Sequence, residues 1–280
     1  MRISVVLSDG HPTGADPAAA LAADLSLLAA VRGRLDGITL RHGWATAPRW
    51  NPQALTTAAY LAGAAGDLEV TVRGLPLGVR NPVELAEQLA TVDHAWDGRL
   101  RGGLALGTPA ECAAHGIDPA RAGDRFVEGL ALLRAMWTDE TVRGTGPGYV
   151  FDEVRPTLRP VRPGGPPLSM IATDGAGAET AARYGLGLHV EFDPGGGWER
   201  LAGRYRAAGG SGELSLAMGF GRTGGGVLAR LAAAGVDQVD VRVRAPGADP
   251  VRVMSTVDEL AAQSVSTSTA IAARNRDTAR

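Results

Sequence analysis

The sequence predicts an α/β fold in which eight parallel strands, each followed by a helix, close into a single TIM barrel. Short apolar, β-branched runs alternate with Ala- and Leu-rich helical patterns along the chain. Strands separated by helices pair in parallel through right-handed crossovers. Eight such units in 280 residues average about 35 residues each, which suits a barrel of this type.

A doubly wound open sheet is the competing architecture. Such sheets usually carry a Gly-x-Gly-x-x-Gly turn after the first strand. Residues 8–14 read SDGHPTG, which lacks that spacing. The barrel is therefore favoured, and the open sheet remains the alternative.

Eight segments have the composition of buried strands, because each is short, apolar and rich in β-branched residues. They begin at Ile3, Gly37, Leu68, Leu100, Leu168, Gly187, Leu214 and Val236.

Helices are predicted where apolar residues recur at every third or fourth position. The clearest periods are Leu21, Leu25, Leu28 and Val31; Leu85, Leu89 and Val92; and Phe126, Leu130, Leu133 and Trp137. Weaker helical patterns cover residues 176–184, 198–207, 225–234 and 251–263.

The chain is expected to form one domain over residues 1–265. Many Gly and Pro residues between positions 144 and 167 indicate a long excursion between the fourth and fifth units, not a domain boundary. The Ser-, Thr- and Arg-rich tail at residues 266–280 is expected to fray.

Composition excludes several classes of protein. With a formal net charge of −2, the chain lacks the excess of basic residues that is typical of proteins that bind nucleic acid or an anionic membrane. No apolar run approaches the roughly 20 residues that cross a bilayer, and the N-terminal segment turns polar too early for a signal peptide. The single cysteine and the histidine spacing give no metal-ligand pattern. We expect a cytoplasmic protein that holds no metal.

The active site of such a barrel forms at the C-terminal ends of its strands. That rule selects His42, which follows the second strand and is flanked by Trp44 and Trp50. A histidine there could exchange a proton near neutral pH beside an apolar ligand. His11, after the first strand, is a further candidate for the same pocket. The alternative is that these are loop histidines bonded to the backbone.

Thr173, Asp174 and Gly175 open a helix directly after the fifth strand. Free amide groups and the helix dipole make such a position suitable for a phosphate. The carboxylate of Asp174 would repel a phosphate, however, and an ordinary N-cap explains the same residues. Both interpretations stay open.

The segment from Leu68 to Thr138 resembles the luciferase-like flavin-dependent monooxygenases and their deazaflavin-dependent relatives. The resemblance lies in RNPVELAEQ at 80–88, TVDHAWDGRL at 91–100, and the helix that follows GID at 116–118. MIAT at 170–173, AARYG at 181–185 and AGVD at 234–237 are similar to the fifth and eighth units of that family.

The resemblance implies a flavoprotein that binds reduced FMN, supplied by a separate reductase, and uses O₂ to oxygenate a small organic substrate. It implies His42 as the catalytic histidine and a homodimer as the assembly. The predicted cofactor-binding residues are Val72, Arg73, Gly74, Thr173, Asp174 and Gly175, and the predicted substrate pocket is His11, Trp44 and Trp50.

The segment at 192–222 is short for the excursion that the family usually has there, so the resemblance implies an eight-stranded parallel TIM barrel that is trimmed in its C-terminal third. Two further departures from the family pattern keep alternatives open. Family members commonly have Gly-Thr-Gly where this chain has Thr71, Val72 and Arg73, and a serine where it has Asp174. The first alternative is a deazaflavin-dependent oxidoreductase that transfers a hydride. The second is a degenerate barrel that has lost the flavin and acts by binding.

Overall fold

The protein folds as a closed barrel of eight parallel strands with helices between them. The structure is a computed structural model, and it describes residues 1–8, 10–43, 49–224, 226–243 and 254–263. The predicted barrel is confirmed, and the doubly wound open sheet is wrong because the first and last barrel strands pair along their length. Ile3 lies opposite Val239, and Val5 lies opposite Val241.

The barrel strands are β1, β3, β5, β6, β9, β10, β11 and β12. They span Arg2–Ser8, Gly37–Arg41, Glu69–Pro76, Leu100–Ala105, Leu168–Ile171, Gly187–Glu191, Leu214–Gly219 and Gln238–Arg242. Their order around the barrel is β1-β12-β11-β10-β9-β6-β5-β3. Two antiparallel ribbons lie outside the barrel and are formed by β2 with β4 and β7 with β8, which span His11–Pro12, Arg49–Trp50, Val142–Thr145 and Val150–Val154.

The helices α1 to α8 span Pro17–Val31, Ala54–Leu61, Pro82–Ala95, Pro109–Ala114, Ala122–Thr138, Gly175–Arg183, Gly197–Ala207 and Val227–Ala233. Residues 254–263 are also helical. No helix in the described part of the chain is long and apolar enough to cross a membrane.

All eight predicted strands are present, but the β2–β4 ribbon and two further accessory features were not predicted. The first is α2, whose buried face is formed by Ala54, Leu55, Ala58 and Leu61. The second lies in the excursion at 144–167, part of which pairs as the β7–β8 ribbon. The tail at 266–280 lies outside the described residues.

The two faces of the barrel strands differ in character. Outward-facing side chains such as Ile38, Val70 and Leu188 belong to the hydrophobic core between strands and helices. The inward-facing side chains are largely polar yet buried. Hydrogen bonds cross the lumen between strands that are not neighbours, as when Gln238 Nε2 on β12 donates to Thr71 Oγ1 on β5 over 3.1 Å.

The N-terminal end of the barrel is closed by a second polar layer. Arg101 contacts Glu69 at 2.8 Å and Glu213 at 2.6 Å, and Arg2 bonds to both carboxylates. This cluster is partly buried, with side chains 14–28% exposed. Ligands therefore reach the lumen from the opposite, C-terminal mouth.

The turn after β5 brings three segments into close contact at Gly78. A Cβ at this position would lie 2.6 Å from the Ala122 carbonyl oxygen and even nearer the Leu106 carbonyl oxygen. We expect Gly78→Ala to lower the free energy of unfolding by about 1–3 kcal/mol, since overpacking forces the backbone apart. Urea unfolding followed by tryptophan fluorescence measures this.

The matched control is Gly203→Ala on α7, where a Cβ meets nothing within 4 Å. Alanine is the better helix former there and should leave stability unchanged or raise it by roughly 0.5–1 kcal/mol. Equal stability of Gly78→Ala and the parent protein would contradict the close approach.

Candidate functional site

A cavity of about 390 Å³ opens at the C-terminal mouth of the barrel. Its walls come from β1, β3, β5, β9, β10, β11, β12 and α7, so most of the barrel contributes to it. The apolar part of the lining includes Ile171, Trp198 and Leu201. Its charged and hydrogen-bonding part includes Thr39, Arg41, Arg73, Thr173, His189, Glu191, Asp193, Arg200 and Asp240.

An ion pair between Arg73 and Asp240 lies at the floor of this mouth cavity. Arg73 Nε donates to Asp240 Oδ2 over 2.9 Å, and both side chains are at least 97% buried. Arg73 Nη1 donates to Ser169 Oγ over 2.7 Å. Asp240 Oδ1 also accepts from Thr39 Oγ1 and Gln238 Nε2.

Burial, the largest single influence, would raise the pKa of Asp240, but the charge and hydrogen bond of Arg73, together with His189 and the hydrogen bond from Gln238, outweigh burial, and the pKa lies below its ordinary value. Asp240 is therefore a carboxylate at neutral pH. The ion pair links β5 to β12 across the lumen and anchors both charges.

His189 faces the same ion pair from β10. Its Nδ1 lies 3.9 Å from Asp240 Oδ2 and 3.0 Å from Ser215 Oγ. Burial, followed by the positive charge of Arg73, lowers the pKa of His189 well below its ordinary value. The ring is therefore neutral at physiological pH.

The rim of the mouth is held by a second ionic contact. Arg242 donates to both carboxylate oxygens of Glu191, over 3.0 and 2.7 Å. Arg41 lies 3.7 Å from the same carboxylate. The contact connects β10, β12 and β3 above the lumen.

His42 lies in a separate cavity, also of about 390 Å³, beside the mouth. Its lining combines the start of α3 with the end of β5 and includes Pro76, Arg80, Glu84 and His115. The His42 amide donates to the Arg73 carbonyl oxygen over 2.7 Å, which fixes the backbone after β3.

Burial lowers the pKa of His42 to about 4, with a further decrease from the nearby positive charge of Arg80 that Glu111 partly offsets. The imidazole is consequently neutral at physiological pH. It can accept a hydrogen bond or a proton there, whereas it holds no second proton to donate.

Gly74 separates the two cavities. The register of β5 against β6 shifts between Val72 and Leu75, and Gly74 has φ of +83°, which favours glycine. A Cβ here would lie 3.2 Å from the His42 carbonyl oxygen and 3.9 Å from Ile171 Cδ1. The bulge thus lies between the mouth cavity and the His42 cavity.

The start of α6 lies at the edge of the mouth cavity, where Thr173 lines the wall. Asp174 caps the helix, since its Oδ1 accepts from the Gly177 amide over 2.8 Å. The guanidinium of Arg204 packs directly against Gly175, where any side chain would collide with it. Arg204 Nε lies 3.7 Å from Glu179 Oε1 on the same helix, so the guanidinium is held with its positive charge beside the start of α6.

The remaining predicted residues lie elsewhere or outside the described chain. Val72 packs in the hydrophobic core on the outer face of β5, opposite Arg73. His11 pairs with Trp50 between β2 and β4, with ring centroids 4.7 Å apart. Trp44 is not among the described residues.

The prediction missed three residues that shape the mouth. Asp240 follows Gln238 at a spacing of two within an apolar strand, a pattern that places both polar side chains on one face. His189 lies in the predicted strand that begins at Gly187, but a strand this short does not show whether the side chain faces the core or the lumen. No sequence pattern points to Arg204, because its position beside Gly175 depends on how α7 packs against α6.

Comparison with known families now identifies the chain. The family model described as luciferase-like monooxygenase matches residues 1–222. The chain belongs to the luciferase-like monooxygenase family. The match covers the first seven barrel strands. It also covers the residues that line the two cavities, apart from Asp240 on β12.

Uncharacterized proteins of Mycobacterium bovis and Mycobacterium tuberculosis are relatives of this family member. They are 34% identical to it over 84 residues, which is 30% of this chain and 30% of theirs. The matched segment therefore spans less than a third of those relatives.

Solved structures share the fold. Monooxygenase RslO1 from Streptomyces bottropensis superimposes with a TM-score of 0.75 at 19% identity, covering 94% of this chain and 98% of its own. The oxygenating constituent of 3,6-diketocamphane monooxygenase from Pseudomonas putida, solved in complex with FMN, has a TM-score of 0.70 at 15% identity, covering 84% of this chain and 72% of its own. An F420-dependent secondary alcohol dehydrogenase has a TM-score of 0.64 at 19% identity, covering 92% of this chain and 81% of its own.

The buried ion pair yields a stability prediction. Asp240→Ala leaves Arg73 charged and unpaired in the lumen, so the free energy of unfolding should fall by about 3–5 kcal/mol. The double variant Arg73→Gln/Asp240→Asn removes both charges and keeps hydrogen-bonding groups in place. Its free energy of unfolding should fall by less than half as much as that of Asp240→Ala. Urea denaturation of the three proteins tests this, and a loss within 1 kcal/mol for Asp240→Ala argues against the pair's structural role.

His42 yields a pH prediction. Between the ordinary His pKa of 6.5 and a folded pKa of about 4, the unfolded chain gains a proton that folded His42 does not. Stability therefore falls as pH falls through this window, by roughly 2–3 kcal/mol from this residue. His42→Gln should flatten that slope, as measured by urea unfolding at pH 7 and pH 4.5, and an unchanged slope would show that His42 titrates normally.

Proposed function

We propose that the protein is a monooxygenase that uses reduced FMN, supplied by a separate reductase, and O₂ to oxygenate a small organic substrate. The observation that carries the proposal is the mouth cavity of a luciferase-like barrel, which brings Arg73 on its floor and Thr173 at the start of α6 to one space. Ligands of TIM barrels bind at this end of the strands.

The residues present fit a flavin. The cavity volume lies within the range of about 300–1,000 Å³ that small-molecule sites occupy. Arg73 Nη2 is buried and has no hydrogen-bond partner among the described residues, so an oxygen atom of a ligand ring would satisfy it. Arg204 beside Gly175 makes the start of α6 suitable for a phosphate.

These residues would hold the cofactor from two ends. Amide groups after Thr173, together with Arg204, would bind the phosphate, and Arg73 would bind the ring. When bound, reduced FMN supplies the electrons that activate O₂, whereas a deazaflavin supplies a hydride. Trp198, Leu201 and Ile171 form an apolar wall that excludes water from the mouth.

His42 would act on the substrate side of Gly74. Because its imidazole is neutral, it would accept a hydrogen bond or a proton from the substrate. The second cavity around it gives the substrate a place next to the mouth. His11 and Trp50 form a contacting pair that would add an aromatic wall to the substrate pocket.

A deazaflavin-dependent oxidoreductase is the second candidate. It is supported by the similarity over 92% of this chain to an alcohol dehydrogenase that uses F420. The same mouth cavity would serve either cofactor.

Absorbance and fluorescence titrations separate the candidates. We expect reduced FMN, titrated under argon, to bind more tightly than oxidised FMN or a deazaflavin. Tighter binding of the deazaflavin would favour hydride transfer. Absence of binding at tens of micromolar, weaker than about −6 kcal/mol, would contradict both and leave a barrel that acts by binding.

Arg204 provides a sharper test of the phosphate position. Arg204→Gln should weaken FMN binding about tenfold, through loss of a charge-assisted contact, and leave riboflavin binding unchanged because riboflavin has no phosphate. Arg206→Gln on the same helix is the control, since Arg206 bonds to the Gly210 and Gly212 carbonyl oxygens away from α6. An equal effect on both ligands would refute the assignment.

A further inference from the structure

Two nitrogen atoms at the mouth cavity make no hydrogen bond within the described part of the protein. Arg73 Nη2 is buried without a partner. His189 lines the cavity and bonds through Nδ1, which leaves its Nε2 without a hydrogen bond. Both side chains flank the same carboxylate oxygen, Asp240 Oδ2, at 2.9 Å from Arg73 Nε and 3.9 Å from His189 Nδ1. The two free nitrogens therefore belong to one small area of the lumen.

Arg73 offers a donor. Its Nε is committed to Asp240 and its Nη1 to Ser169, which leaves Nη2 alone. A guanidinium has no acceptor atom, so this group needs an acceptor, which a ligand in the cavity can supply. Because a buried donor without a partner is unfavourable, a ligand that supplies the acceptor gains affinity from it.

His189 offers an acceptor. Ser215 Oγ donates to the Leu188 carbonyl oxygen over 3.3 Å, so it accepts from His189 Nδ1 at 3.0 Å. The nearby Asp240 carboxylate favours the same proton position. With one proton on a neutral ring and that proton on Nδ1, Nε2 carries a lone pair.

We propose that Arg73 and His189 together recognise a ring edge on which a carbonyl oxygen stands next to an N–H, as in a cyclic imide. The oxygen accepts from Arg73 Nη2, and the N–H donates to His189 Nε2. The pyrimidine part of a flavin or deazaflavin presents this edge, and so does a free pyrimidine such as uracil. As far as it concerns the cofactor, this inference rests on the proposed function.

Other ligand groups match the two nitrogens less well. A carboxylate satisfies Arg73 but sets a negative charge against the lone pair of His189. An ammonium group satisfies His189 but faces the positive charge of Arg73. Only a group with an acceptor beside a donor satisfies both.

The test compares lumiflavin with 3-methyllumiflavin, in which a methyl group replaces the N–H hydrogen. Neither carries a phosphate, so binding does not depend on α6. Flavin fluorescence quenching should show that methylation weakens binding to the parent protein by about 10- to 100-fold, because it removes one hydrogen bond and sets a methyl group against the His189 acceptor.

Variants assign the effect to the floor. His189→Phe should bind both rings equally weakly, and His189→Gln, whose Oε1 can accept from the N–H, should restore part of the preference. His94→Gln, at an exposed histidine that contacts Arg159, is the matched control and should behave like the parent. The double variant Arg73→Gln/Asp240→Asn should weaken the binding of lumiflavin without unfolding the barrel. Circular dichroism verifies that the variant is folded.

The outcomes separate this inference from the proposed function. If FMN binds but 3-methylation and His189→Phe change nothing, the inference is overturned and the flavin proposal stands. If uracil binds to the parent and not to His189→Phe while flavins do not bind, the inference stands with a free pyrimidine as its ligand and the flavin proposal fails. If neither lumiflavin nor uracil binds, the inference is overturned.

Discussion

The ion pair between Arg73 and Asp240 organises the interior of this barrel. It joins β5 to β12 across the lumen and gathers Thr39, Ser169 and Gln238 around two buried charges. Each charge would be costly alone, so each depends on the other and on the surrounding hydrogen bonds. Because the pair fills the lumen, the mouth cavity above it has a polar floor beneath an apolar wall.

The same arrangement controls protonation. Arg73 keeps Asp240 ionised and, together with burial, keeps His189 neutral. His42 is neutral for a related reason, burial beside Arg80. The floor of the mouth cavity therefore presents an uncharged imidazole beside a fixed ion pair, and the neighbouring cavity presents a second uncharged imidazole. This arrangement suits the positioning of a neutral ring better than acid catalysis.

Much of the fold was predictable because it depends on local periodicity. All eight strands and most helices follow from apolar spacing, and α2 was missed although its apolar residues repeat at helical intervals.

The site was only partly predictable. The structure places Arg73 and Thr173 in the lining of one cavity, whereas the separation of His42 from them depends on the bulge at Gly74. Asp240 and Arg204 act through partners more than 25 residues away, which local pattern does not reveal.

The central claim is that the mouth cavity is a flavin site with Arg73 at the ring and the start of α6 at the phosphate. The most direct test is a crystal structure of the protein grown with FMN. The account predicts electron density for the ring within hydrogen-bonding distance of Arg73 and for the phosphate beside Gly175 and Arg204. Density confined to the cavity around His42, or a phosphate held elsewhere, would contradict it.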